Sequence, residues 1–207
     1  MKGTFFMSNI KVVKFGGSSL ADSGQFRKAA DIVLADPSRR FVVASAPGKR
    51  FSEDIKITDM LYACYDKAAK GEDFTEDFSA IEKRYNEIIS ELGLDISLDK
   101  EFERIKSAFA HMAGRDYAAS RGEYLNSKVF AAFLGFEFID PAGYIKFGEN
   151  GVFDLEKNHI SASSASGKMR ARGHSGILRF NAKRHYPHVL PRRLGRYRLY
   201  SCPRGKG

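Results

Sequence analysis

A lysine, two glycines and two serines stand together in Lys14-Phe15-Gly16-Gly17-Ser18-Ser19. Adjacent glycines permit a tight turn and positive φ, so successive backbone N–H groups can converge on phosphate oxygens. A helix N-terminus just beyond would favour the same anion. Lys14 could neutralise charge on a phosphoryl group in transfer. The spacing matches neither G-x-x-x-x-G-K-[ST] nor G-x-G-x-x-G, so a plain turn beside a surface lysine is the alternative. Three more polar residues sit beside structural signals. Ser45 closes an apolar run, Thr58 lies between Lys56 and Asp59, and Glu123 follows Gly122. A carboxylate suits a bound ammonium, and Gly122 would let a substrate approach the backbone. Local explanations compete: Thr58 as a helix N-cap, and Glu123 as a charge favouring a helix N-terminus. No His/Cys/Asp/Glu cluster has metal-ligand spacing.

These residues need elements to hold them. Residues 10–15 read as a strand and 25–35 as a helix, with Phe26, Ala29, Ala30, Val33 and Leu34 on one face. Residues 41–45 read as a buried strand stopped by Pro47-Gly48. Strand, helix and strand within about 35 residues make a βαβ unit and a parallel sheet. Ser45 then lies at a strand's C-terminal end, where ligands gather in open α/β sheets. A helical stretch follows over 58–70, 75–92, 98–112 and 122–134, with Gly71, Gly93 and Gly135 as stops and Ser120 as an N-cap. Residues 136–139 read as a further strand.

Four motifs in this order resemble aspartate kinase, a branch of the amino-acid-kinase superfamily. They are K-F-G-G-S-S, V-V-A-S-A-P-G-K at 42–49, I-T-D-M-L at 57–61 and S-R-G-E-Y-L at 120–125. The resemblance covers about residues 10–155. It implies an αβα sandwich around a mainly parallel sheet, here incomplete. It implies transfer of the ATP γ-phosphoryl group to the side-chain carboxylate of L-aspartate, with Mg²⁺ arriving on ATP, as the first step towards lysine, threonine and methionine. Lys14, Phe15, Gly16, Gly17 and Ser18 correspond to the phosphate-binding loop, with Lys14 catalytic. Ser45, Thr58 and Glu123 correspond to the aspartate side, with Glu123 holding the amino group. The family is usually homo-oligomeric.

Charge divides the chain. Residues 1–157 hold 22 Lys and Arg against 25 Asp and Glu, while residues 158–207 hold 12 Lys and Arg and no acid. Residues 1–157 therefore read as the N-terminal part of a kinase domain, and 158–207 as an irregular basic tail. The family's P-G-F-Y-G-S and F-S-R-G-G-S-D segments are absent as residues. A shifted frame restores both. Visible residues 173–180 permit V-I-P-G-F-Y-G, and 189–198 permit F-S-R-G-G-S-D-V-T. A reading-frame slip between about residues 157 and 173 accounts for the missing acids and the Arg/His/Pro/Ser excess. A chain so altered lacks the substrate-gripping Arg and the nucleotide half, and its turnover is expected to be near zero.

Composition bounds the rest. With 43% hydrophobic residues the 207-residue chain is not wholly disordered. No run of about 18 apolar residues marks a membrane span. The start has too short an apolar stretch for a secretory signal. Cys64 and Cys202 make neither a disulfide framework nor a zinc site, which points to the cytoplasm. Two other functions compete: a kinase of the same superfamily acting on another carboxylate or carbamate, and a nucleic-acid binder using the basic tail. The tail's cations share no helical face, so no nucleic-acid partner is expected.

Overall fold

A computed structural model describes residues 10–143, residues 145, 147, 152 and 154, and the backbone of 176–178. Four parallel strands form one sheet in the order β1-β2-β4-β3. They are β1 (Lys11–Phe15), β2 (Arg39–Ala44), β3 (Glu137–Ile139) and β4 (Gly176–Leu178). Between β1 and β2 runs α1 (Ser23–Leu34), started by Asp22, whose carboxylate accepts the Gln25 amide at 2.9 Å. Phe26, Ala29, Ala30 and Val33 face the core as the periodicity predicts. Leu34 does not: it lies on the last turn and is 62% exposed.

The long connection from β2 to β3 is helical. It holds α2 (Ile57–Ala68), α3 (Thr75–Glu91), α4 (Asp99–Ala110) and α5 (Arg115–Leu134). Much of the core lies among these helices and away from the sheet. Tyr65, Phe74, Phe78, Phe102, Phe109 and Tyr117 interlock there, with ring centroids 5.6–6.4 Å apart. Most pairs meet edge to face, the arrangement favoured by ring quadrupoles. A second group joins helices to sheet: Phe130 of α5 meets Phe15 of β1 at 5.9 Å and Phe26 of α1 at 5.2 Å. Cys64 is fully buried, and burial pushes its thiol up to about 12.

Two elements differ from expectation. Helix α5 starts at Arg115, two turns before the predicted start, and Gly114 rather than Ser120 caps it. Ser120 is buried inside the helix, where its hydroxyl donates to the Tyr117 carbonyl at 2.7 Å. The early turns carry Ala118, Ala119 and Ser120, small residues that pack without leaving an apolar stripe to read. The other difference is β4. No strand was expected in the irregular tail, yet Gly176–Leu178 pairs with both β2 and β3 in the middle of the sheet. A three-residue segment is too short for periodicity to single out. No helix among the described residues is long and apolar enough to cross a membrane.

Candidate functional site

The C-terminal ends of β1 and β2 lie side by side, with Phe15 opposite Ala44. The Ser45 amide continues the pairing by donating to the Phe15 carbonyl at 3.1 Å. Phe15 therefore anchors the glycine turn: its ring is in the core and its carbonyl is in the ladder. Lys14, one residue earlier on the alternating strand, is exposed. Its amine lies over the turn, 3.9 Å from where a Cβ would stand on Gly16. Ser18 is exposed, and Gly16 and Gly17 are only partly covered.

The glycines are needed for closeness rather than for positive φ. Gly16 is extended, at φ −78° and ψ 169°. Among the described residues, positive-φ glycines occur only at 71, 93, 114 and 135. A Cβ on Gly17 would stand 2.8 Å from the Ala46 carbonyl oxygen and 3.1 Å from the Gly48 nitrogen. A Cβ on Gly48 would stand 2.6 Å from the Gly17 carbonyl carbon. The two loops touch backbone to backbone, and the Gly48 amide donates to the Gly17 carbonyl at 2.8 Å.

Ala46 is the point where the remaining parts meet. Gly122 of α5 packs so closely on it that an added Cβ would stand 2.6 Å from the Ala46 Cβ and 3.4 Å from Ile57 Cγ2. Ile57 opens α2, and its amide donates to the Pro47 carbonyl at 3.3 Å. Ser45, Thr58 and Glu123 are each the immediate chain neighbour of one of these contacting residues. Gly17 touches Ala46 directly. The residues singled out from sequence thus share one neighbourhood, at the C-terminal edge of the sheet.

Three local expectations are corrected. Gly122 is buried against Ala46, so it serves helix packing and offers no open backbone to a substrate. Thr58 is not an N-cap: Lys56 caps α2 and Thr58 is its second residue. Glu123 lies in the third turn of α5, far from the helix N-terminus, so a dipole role does not explain it. Its charge instead reaches Tyr85. Burial, and then Glu123, raise the Tyr85 hydroxyl well above its ordinary value. That hydroxyl donates to the Gly122 carbonyl at 2.8 Å.

Sequence reasoning missed two residues that hold this neighbourhood together. Asn126, one turn beyond Glu123, is fully buried and donates to the Ser45 carbonyl at 2.6 Å. Arg84 of α3 donates to the carbonyls of Ile55 at 2.7 Å and Ala21 at 3.4 Å, and to that of Gly48. It also lies 3.3 Å from the Asp54 carboxylate. Arg50 hydrogen-bonds the same carboxylate at 2.9 Å and holds it well below the usual carboxylate range. Arg84 had a readable signal: a charge three residues after Ile81, beside an otherwise apolar stripe.

A model of the Amino acid kinase family matches residues 9–169, and the chain belongs to that family. Curated relatives that it resembles are aspartokinases. It is 37% identical to aspartokinase 3 of Bacillus subtilis over 153 residues, which is 70% of this chain and 33% of that protein. It is 32% identical to the lysine-sensitive aspartokinase 3 of Escherichia coli over 138 residues, 62% of this chain and 29% of that one. The crystal structure of Clostridium acetobutylicum aspartate kinase superposes with a TM-score of 0.75 at 42% identity, covering 83% of this chain and 38% of that one. Escherichia coli aspartokinase III, solved in complex with aspartate and ADP, gives a TM-score of 0.65 at 25% identity. That match covers 82% of this chain and 40% of the other. The chain spans about a third of the length of the first of these curated relatives.

Proposed function

We propose that the chain is the N-terminal portion of an aspartate kinase, carrying the phosphate loop and part of the aspartate site. The reaction moves the ATP γ-phosphoryl group to the side-chain carboxylate oxygen of L-aspartate, giving 4-phospho-aspartate and ADP, at the head of the lysine, threonine and methionine routes. The carrying observation is the convergence around Ala46 of Gly17 and of the neighbours of Ser45, Thr58 and Glu123, with the Lys14 amine above Gly16. A relative that binds aspartate and ADP supports the choice of ligands.

In this reading the Gly16, Gly17 and Ser18 amides face the phosphates, and Phe15 fixes the loop from below. Lys14 offsets negative charge as it moves on to the β-phosphate oxygens. Glu123 accepts hydrogen bonds from the aspartate ammonium, while Ser45 and Thr58 lie on the flank that orients the carboxylates. Phosphoryl transfer depends chiefly on such positioning. Mg²⁺ would arrive on the triphosphate and keep several of its waters, a common arrangement for this cation. The assembly would be a homo-oligomer in the cytoplasm.

The 207-residue chain is expected to turn over near zero, because residues 158–207 lack the Arg and Ser-Asp segments that complete the site. The match to the family ends at residue 169, inside the window placed for the reading-frame slip. Sequencing the encoding DNA tests the slip directly. A coupled assay of ADP release then tests the function. The frame-restored protein should release ADP only with aspartate, and Lys14→Met should abolish this. Release without aspartate, or normal activity from the 207-residue chain, would overturn the reading.

A further inference from the structure

The helical insert sends one charged side chain beneath the site. Arg84 is only 4% exposed and neighbours Ile81, Tyr85 and Ile88 on the buried face of α3. Burial lowers its pKa, yet an arginine starts so high that it stays a cation. A buried cation must find fixed partners, because leaving it unpaired is very costly. Its partners here come from two loops that are distant in sequence. Ala21 follows the turn that begins at Gly17. Gly48 touches Gly17 backbone to backbone. Ile55 lies just before the α2 turn that carries Thr58. The next residue, Tyr85, donates to the Gly122 carbonyl beside Glu123.

We infer that Arg84 is a positioning residue, which sets the spacing between the glycine turn and the segment carrying Ser45 and Thr58. The guanidinium touches no reacting atom; it acts through the three carbonyls. Its meaning for catalysis rests on the phosphate-loop reading, but the tie itself does not. The helices between β2 and β3 are then more than a spacer, since α3 holds the two ligand-facing loops at a set distance.

Amide hydrogen exchange on the 207-residue chain tests this. In Arg84→Lys the ammonium keeps its charge but cannot span three carbonyls. Exchange should rise about tenfold in residues 16–22 and 46–56, the scale of one lost charge-assisted hydrogen bond. Exchange in α4 and α5 should stay within about twofold, because none of their carbonyls accepts from Arg84. Unchanged loops would overturn the inference. So would an equal rise in α4 and α5, which would make Arg84 a support of the core alone. Asp54→Asn is a second variant that leaves the guanidinium and its carbonyl contacts in place. It should raise exchange in 46–56 more than in 16–22, and the opposite order would count against the tie. Adding inorganic tripolyphosphate separates the two ideas. It should slow residues 16–19 in the parent chain, and less so in Arg84→Lys. No slowing in the parent removes the phosphate reading, while the ligand-free exchange still decides the role of Arg84.

Discussion

At the scale of single residues, two adjacent glycines have different jobs. A Cβ on Gly16 meets only the Lys14 amine, at 3.9 Å, whereas one on Gly17 strikes backbone at 2.8 Å. Gly16→Ala should therefore leave urea stability within about 0.5 kcal/mol, as surface changes usually do. Gly17→Ala should cost about 1–3 kcal/mol, because rigid backbone must move. Equal losses would remove the close-approach argument. Acid sensitivity belongs to this scale too. Hydrogen bonds from Arg50 hold the Asp54 carboxyl below its unfolded value of about 3.9. A depressed carboxyl contributes stability that is fully present above the unfolded pKa and is lost as pH falls below it. The stability gap between the parent chain and Asp54→Asn should thus be widest near neutrality and shrink below about pH 4. Urea midpoints across that range would show it, and a constant gap would refute it. The Gly-Gly pair and Lys14 were legible from types and order alone. Why the glycines are needed was not, because their neighbours Ala46 and Gly48 lie about thirty residues away in sequence.

Among elements, α5 does the most to build the site. It packs Gly122 on Ala46 and holds the Ser45 carbonyl with Asn126. Gly122→Ala would force α5 away from both Ala46 and Ile57, and about 1–3 kcal/mol of stability should go with it. A crystal structure or chemical denaturation of the variant would check this, and an unchanged midpoint would contradict the packing. Helices α1, α3 and α4 were readable because one face of each is apolar and the other polar. The first two turns of α5 were not, since they are covered on most sides and carry alanine and serine instead of large apolar residues. Strand β4 escaped for want of length. The hydrogen bonds of Arg84 also escaped, because they join partners that only tertiary structure brings close.

For the whole molecule, the sheet's outer member matters. Among the described residues β1 pairs only with β2, and Val12 on it is 61% exposed. Ile10 beside it is exposed as well. An uncovered apolar edge invites pairing with another chain, and a lysine placed there opposes it. Val12→Lys should raise the soluble fraction and lower light scattering at equal concentration, and unchanged scattering would contradict this. The parallel sheet was the whole-molecule feature legible at the start, from the strand, helix and strand of residues 10–45.

The interlocked rings of Tyr65, Phe74, Phe78, Phe102, Phe109 and Tyr117 have a different consequence. They join α2, α3, α4 and α5 to one another and make few demands on the sheet. A protease cuts where backbone opens, and a nucleus of this kind opens last. Limited trypsin digestion should therefore trim the molecule from outside and leave a resistant fragment containing α2 to α5. Early cleavage within α3 or α4 would mean that the aromatic nucleus is looser than its packing indicates.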